Sequence, residues 1–241
     1  MTHHSHPLIQ AIVVNHNTSK FTELMLRSLF DKHASALDMS VTVIDNASTD
    51  DTSNLLAYLE SKALPLHQSG FTTETESNSH GEVLGRFVLD HPHCEYYLFL
   101  DADISFLEEQ TIDAMLTLLR ADDELFGVGA RQSWDGQAEI PAEIHEAIYY
   151  RRLHPCCALV KNSPPFRRIV TEVGLSGLTY HRVEGEEYWD TFELMTKVIR
   201  THGLRHAICA KLVYHFFSVS YDPRYMDSKH KRCDELLAAL R

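Results

Sequence analysis

Short apolar runs alternate with longer amphipathic stretches through the first half of the chain. LIQAIVV, Leu8 to Val14, predicts a buried strand, since a continuous apolar run suits a strand covered on both faces. Phe21, Leu24, Met25, Ser28 and Leu29 then recur at helical spacing behind Thr18 or Ser19, either of which can cap the helix. A second strand is expected over Met39 to Ile44, rich in β-branched residues. The polar turn DNASTDDT follows, and its Ser48 or Asp50 is expected to cap a helix reaching Ser61. Leu64 to His67 predicts a short third strand, GFTTETESNSHG a long loop, Glu82 to Leu89 a helix, and Tyr96 to Leu100 a fourth strand.

Strands alternating with helices predict parallel β-α-β units, hence an α/β fold with a layered sheet. In such sheets ligands bind beyond the carboxyl ends of the strands. The polar clusters NHNTS, DNASTD and DADIS all fall at those ends. The second half is less regular. It predicts a helix over Glu108 to Leu119, a strand over Phe126 to Ala130, and a strand CCALVK (Cys156 to Lys161) bounded by Pro155 and by Pro164 and Pro165. A helix over Glu186 to His202 should end at Gly203, Leu204 to Phe217 should be extended, and KHKRCDELLAALR should close the chain as an amphipathic helix. No internal repeat and no Gly-, Ser- or Pro-rich linker divides the 241 residues, so a single domain is expected.

Composition narrows the function classes. Hydrophobic residues make up 44 % of the chain, which suits a folded domain rather than a disordered one. A net charge of −12 argues against nucleic acid as a partner. No apolar run is long enough for a transmembrane segment, and MTHHSHPLIQ lacks the pattern of a secretory signal. His3, His4 and His6 are read as a disordered end, not as a metal site. Five cysteines without regular spacing suggest neither a disulfide framework nor a zinc site, and favour a reducing, cytoplasmic setting.

The chemistry concentrates in YYLFLDADIS, Tyr96 to Ser105. In an extended segment Asp101 and Asp103 project to one side, about 6.6 Å apart along the backbone. Two carboxylates at the end of a buried strand need a partner. A divalent cation, Mg2+ or Mn2+, supplies one and would neutralise a diphosphate bound beside it.

With these residues in view, the chain resembles the inverting family 2 glycosyltransferases, including their rhamnosyltransferase-like branch, which have the nucleotide-sugar (GT-A) fold. AIVVNHNTSKFTELMLRSL resembles their first strand, turn and helix, VTVIDNASTDDT their second strand and acidic turn, and YYLFLDADIS the strand leading into their D-x-D. The likeness covers Ile9 to Phe106 well and the remainder weakly. It implies a nucleotide-sugar-binding half over about 8–106 and an acceptor-side half over about 107–241. By resemblance, Asn15 and Asn17 line the nucleotide pocket, and Asp45 accepts a hydrogen bond from the base. A carboxylate there fits the N3–H of uracil or thymine. Asp101 lies near the ribose or metal, Asp103 is a direct metal ligand, and His215 in KLVYHFFSVS ligates the metal or touches the diphosphate. Arg86 is a further candidate for a phosphate. The family's small-residue segment before the D-x-D is only faintly matched by SNSHGEVLG, which leaves the donor sugar open.

An inverting transfer needs a general base within about 3 Å of the acceptor hydroxyl. The family draws one from an E-D pair at the start of a helix, and VEGEEYWDTFELMTKVIRTHG holds no such pair. Asp190 is the first candidate base and Glu187 the second, since they lie three apart and can share a helical face. Tyr188, Trp189 and Phe192 would flank them with aromatic surface. RRLHPCCALVK resembles the acceptor-side strand. Its Arg151, Arg152 and His154 are within reach of an acceptor or phosphate, but read first as a solvated basic turn.

The expectation is therefore a metal-dependent enzyme moving a sugar from a UDP- or dTDP-sugar to a glycan, lipid-linked or small-molecule acceptor. Two alternatives stand beside it: a nucleotide-sugar-binding protein without catalysis, and a haloacid-dehalogenase-like phosphatase using the same D-x-D. The phosphatase needs a downstream acidic cluster and a lysine, and no G-D-x-x-x-D follows Ser105. A nucleotidyltransferase needs a Gly-rich basic loop after its first strand, which NHNTSKF is not.

Overall fold

The computed structural model describes residues 7–33, 38–71, 79–133, 149–176, 182–183, 186–187, 190–220 and 224–240. His3, His4, His6, Tyr188, Trp189 and most of the polar stretch from Gly70 to Gly81 lie outside them. In chain order the elements are β1 (Ile9–Asn15), α1 (Ser19–His33), β2 (Met39–Asp45), α2 (Ser53–Ser61), β3 (Leu66–Gln68), α3 (Ser79–Asp90), β4 (Tyr96–Asp101), β5 (Ile104–Phe106) and α4 (Thr111–Ala121). There follow β6 (Leu125–Ser133), β7 (Cys157–Lys161), α5 (Pro164–Glu172), β8 (Arg182–Val183), β9 (Glu186–Glu187), α6 (Glu193–Arg200), β10 (Arg205–His215) and α7 (Met226–Ala239).

One eight-stranded sheet runs in the order β3-β2-β1-β4-β7-β6-β10-β5. The four strands β3, β2, β1 and β4 are parallel, as the alternating pattern predicts. The second half departs from it: β7 is antiparallel to both β4 and β6, and β5 is antiparallel to β10. Successive residues of the apolar strands feed opposite faces. Ile9, Ala11, Val13, Tyr96, Leu98 and Leu100 join a core with α1, α2 and α4. Ile12, Val14, Tyr97 and Phe99 join a second core with α3, α5 and α6. Helices on both faces explain why these strands read as unbroken apolar runs. A third cluster packs α7 on Phe21 and Leu24 of α1 and on Tyr214 and Phe216 at the end of β10.

Several boundaries differ from expectation, each for a local reason. Ser48 and Asp50 do not cap α2, whose start is served by Asp51 Oδ1 accepting from Ser53 N at 2.9 Å. Asp50 instead caps α1, accepting from Ser19 N (2.9 Å) and Ser19 Oγ (3.0 Å), which places a carboxylate at the positive end of that helix. The helix expected from Glu108 starts at Thr111 after a left-handed Gln110, and Glu108 accepts instead from Leu212 N at 2.8 Å. α5 was not expected, although Ser163 followed by two prolines is a strong helix start and Ser163 Oγ accepts from Phe166 N. The largest departure concerns the helix expected over Glu186 to His202. Glu186 and Glu187 pair in antiparallel fashion with Val183 and Arg182, and the helix begins only at Glu193. The break is Phe192, left-handed at φ 71° and fully buried edge-on against Phe99 at 4.8 Å.

Candidate functional site

The carboxyl ends of β1, β2 and β4, the start of the reversed strand β7 and the end of β10 all meet at one edge of the sheet. At β1 and β2, Asn15 and Asp45 are partners in register, and Asn15 Nδ2 donates to Asp45 Oδ1 at 2.9 Å. Asn15 also donates to Ser48 Oγ (2.9 Å) and accepts from Thr22 Oγ1 (2.8 Å) and Thr18 Oγ1 (3.1 Å). It is completely buried, so its work is to hold Asp45 and the two loops together. Asn17, left-handed at φ 53°, ties the loops a second time by accepting from Thr49 N at 2.7 Å. Among the described residues Asp45 Oδ2 accepts only a long bond of 3.3 Å from Ser48 N. Arg86, on α3, donates to Ser69 O at 2.9 Å and lies over the Phe71 ring, bracing the segment after β3.

β4 ends at Asp101, and the chain then turns. The aspartates do not line one face of a continuous strand, because Ala102 and Asp103 form a turn before β5. β5 pairs antiparallel with the end of β10, Ile104 opposite His215, and Phe216 N donates to Asp103 O at 2.9 Å. This pairing brings His215 to the aspartates. His215 Nε2 lies 3.3 Å from Asp103 Oδ1 and 3.9 Å from Asp101 Oδ2, and one ligand atom from each residue falls within 4.8 Å of the others.

The histidine's tautomer decides what this cluster can hold. His215 Nδ1 faces Gln132 Oε1 at 2.9 Å, an atom that only accepts, so Nδ1 carries the proton in the neutral ring. Nε2 then faces two carboxylates, an arrangement satisfied either by a proton on Nε2 or by a metal cation between the three groups. Two carboxylates and an imidazole suit a divalent metal such as Mn2+, and Gln132 provides the orienting hydrogen bond that metal-bound histidines use. The residues present therefore fit a metal. Burial raises the Asp101 carboxyl above its ordinary range, opposed by His80 and His215. Burial also acts to raise Asp103, but the His215 ring together with the N–H groups of Val219 and Asp103 outweighs it and holds that carboxyl low.

Three neighbours were not anticipated in these positions. His80, expected in a loop, sits in the first turn of α3 with Nε2 3.9 Å from Asp101 Oδ1 and Nδ1 3.3 Å from Thr191 Oγ1. Arg152 is not part of a solvated turn: its side chain is 13 % exposed, donates to Thr191 O at 2.8 Å and pairs with Asp190 at 3.2 Å. His154 places its ring edge-on to His215 at 5.7 Å. Arg151 is exposed and pairs with Glu193. Only the topology brings these side chains together; a lone histidine in a polar stretch carries no periodic signal. Asp190 is 63 % exposed beside Arg152. Glu187 lies in β9, and its side chain falls outside the described residues. A separate groove between α1, α2 and α7, lined by Lys20, Arg27, Tyr58 and Asp234, holds none of the expected site residues. The five cysteines are all free thiols, and no helix among the described residues is long and apolar enough to cross a membrane.

A sheet of this topology, with an Asp-x-Asp turn at the end of its fourth strand, is the GT-A fold of nucleotide-sugar glycosyltransferases. Among solved structures it is similar to the mannosyltransferase PcManGT from Pyrobaculum calidifontis, in complex with GDP-Man and Mn2+, at TM-score 0.61 and 17 % identity over 98 % of this chain and 63 % of that one. It is also similar to S. aureus TarS, at TM-score 0.60 and 13 % identity over 95 % of this chain and 65 % of that one. Glucosyl-3-phosphoglycerate synthase from Mycobacterium tuberculosis, in complex with Mn2+, UDP-Glc and phosphoglyceric acid, matches at TM-score 0.56 and 14 % identity, over 97 % of this chain and 78 % of that one. The chain thus spans less than two thirds of the first two. No protein-family model and no curated protein sequence matches it.

Proposed function

We propose that the protein is a metal-dependent glycosyltransferase that moves a sugar from a nucleoside-diphosphate sugar to an acceptor hydroxyl, with inversion, in the manner of the rhamnosyltransferase-like branch of family 2. The observation that carries this reading is the convergence of Asp101, Asp103 and His215 at the carboxyl end of β4 in a GT-A sheet. A divalent ion held there, Mn2+ or Mg2+, supplies positive charge opposite the diphosphate as it leaves. The chain acts as one domain, with 8–106 binding the donor and 107–241 facing the acceptor.

Asp45, held by Asn15 and Ser48, offers Oδ2 to the N–H of a uracil or thymine ring. The donor is accordingly a UDP- or dTDP-sugar. Asn17 keeps the two loops closed beneath the nucleotide, and Arg86 secures the segment from Ser69 to Phe71 on the same side. Asp190 takes the acceptor proton, and Arg152 sets its direction; Glu187 is the second candidate base. The acceptor is a glycan, a lipid-linked sugar or a small molecule. The phosphatase alternative is not favoured by a D-x-D that closes the fourth strand of a sheet rather than the first. Catalysis distinguishes the remaining alternative, a binding protein.

A thermal-shift panel of nucleoside diphosphates with and without Mn2+ tests the proposal, because a ligand of the folded state raises the melting temperature. UDP or dTDP should stabilise the protein only when the metal is present. Asp190→Asn should keep that stabilisation and lose sugar transfer. Equal responses to every nucleotide, independent of metal, would refute the donor reading.

A further inference from the structure

The arrangement of side chains beyond the metal cluster carries information about the acceptor. This inference rests on the proposed function. Along the sheet the order is β2, β1, β4, β7, so the nucleoside loops and the start of β7 lie on opposite sides of the Asp101–Asp103 turn. β7 runs antiparallel to β4, which brings its leading segment, with Arg152 and His154, to the carboxyl end of β4. A donor laid from Asp45 to the metal cluster therefore presents its sugar towards Arg152 and His154.

That side is a wall of hydrogen-bond donors. His154 Nδ1 accepts from Cys156 N at 3.2 Å, so the ring is neutral with its proton on Nε2. Among the described residues Nε2–H has no partner. Arg152 is mostly buried, and its fork of N–H groups is only partly used by Thr191 O and the exposed Asp190. His80 adds an imidazole from α3, braced on Thr191 Oγ1. The wall thus offers one fixed cation and the free ring N–H of His154, with the His80 imidazole beside them on α3.

We infer that the acceptor carries a phosphate group, and that Arg152 and His154 receive it beside the metal cluster, with His80 flanking them. A guanidinium and a ring N–H approaching from different directions match the several oxygens of a phosphate better than a neutral hydroxyl. Charge recognition here sets which acceptor binds, separately from the nucleotide loops.

Glycerol 3-phosphate is the probe and glycerol its neutral control. Both are titrated calorimetrically into the protein saturated with Mn2+ and with the nucleoside diphosphate that stabilises it most. Glycerol 3-phosphate should bind and glycerol should not. Arg152→Gln should weaken the phosphate by about tenfold or more. Arg152 also holds Thr191, so His154→Asn is the second variant; its amide oxygen can replace Nδ1 while the Nε2 donor is gone. It too should weaken the phosphate, leaving nucleotide affinity within about twofold. Equal phosphate affinity in wild type and both variants overturns the inference. So does loss of phosphate binding when nucleotide is added, which would place the phosphate in the donor's own diphosphate position. Nucleotide binding without phosphate binding sinks this inference alone. Arg152-dependent phosphate binding with no response to any nucleotide instead sinks the proposed glycosyl transfer, and the acceptor assignment with it.

Discussion

Asp101 shows how one side chain can oppose folding and serve a site at once. Its carboxyl is raised by burial above its ordinary 3.8. The unfolded chain therefore releases that proton first, and the contribution to stability declines as pH rises from 3.8 towards the raised value and stays low above it. Without metal at neutral pH, Asp101 is a liability of the folded state. Asp101→Asn should raise the metal-free melting temperature by about 2–4 °C, and should abolish any rise produced by Mn2+. A lowered metal-free melting temperature, or Mn2+ stabilisation surviving the change, would contradict this account. The aspartates themselves were legible in the sequence because an apolar strand running into two acids is an unusual local pattern. His80 was not, because nothing near it in the chain marks it; Arg152 and His154 were marked within RRLHPCCALVK but read first as a solvated turn, since contacts across the sheet edge define their role.

At the scale of elements, the first half was read nearly as it stands, since β1 and β4 are buried on both faces, β2 is buried on one and alternates accordingly, and each helix shows one apolar side. The second half followed rules that local pattern does not express. Glu186, Glu187 and Asp190 have the spacing of a first helical turn, yet the left-handed backbone of Phe192, a conformation an aromatic residue rarely adopts, postpones the helix to Glu193. The reversal of β7 left no trace in its composition. Contact between α3 and the segment after α5 is similarly hidden. A Cβ on Gly81 would lie 2.6 Å from Ser176 Cα and 2.8 Å from Ser176 N, a clash with backbone that cannot simply rotate away. Gly81→Ala should therefore cost about 1–3 kcal/mol in denaturant unfolding and, by moving the first turn of α3, lower the affinity for glycerol 3-phosphate. Unchanged stability would show that α3 does not seat against Ser176 as described.

For the molecule as a whole, acid sensitivity follows from four histidines in different places. Burial is the largest influence on His33, His80, His154 and His206, and each is lowered from its ordinary 6.5. Below 6.5 the unfolded chain binds protons that the folded chain refuses, so stability rises with pH across that window and is lost as pH falls through it. The metal-free protein should show a melting temperature that drops steadily between about pH 7 and pH 5, ahead of the carboxylate range. A flat profile there would mean these rings are not held neutral.

β10 carries a further consequence. Its register with β6 shifts twice, between Arg205 and His206 and again between Ile208 and Leu212, where Glu108 accepts from Leu212 N and pairs with Lys211. The strand is thereby fastened twice: once among the core residues, and again at Gln132, β5 and the Asp101–Asp103–His215 cluster. The irregularity separates the packing around Ile208 from the end of the strand, where the pairing of Ile104 with His215 and the bond to Gln132 set the aim of the imidazole.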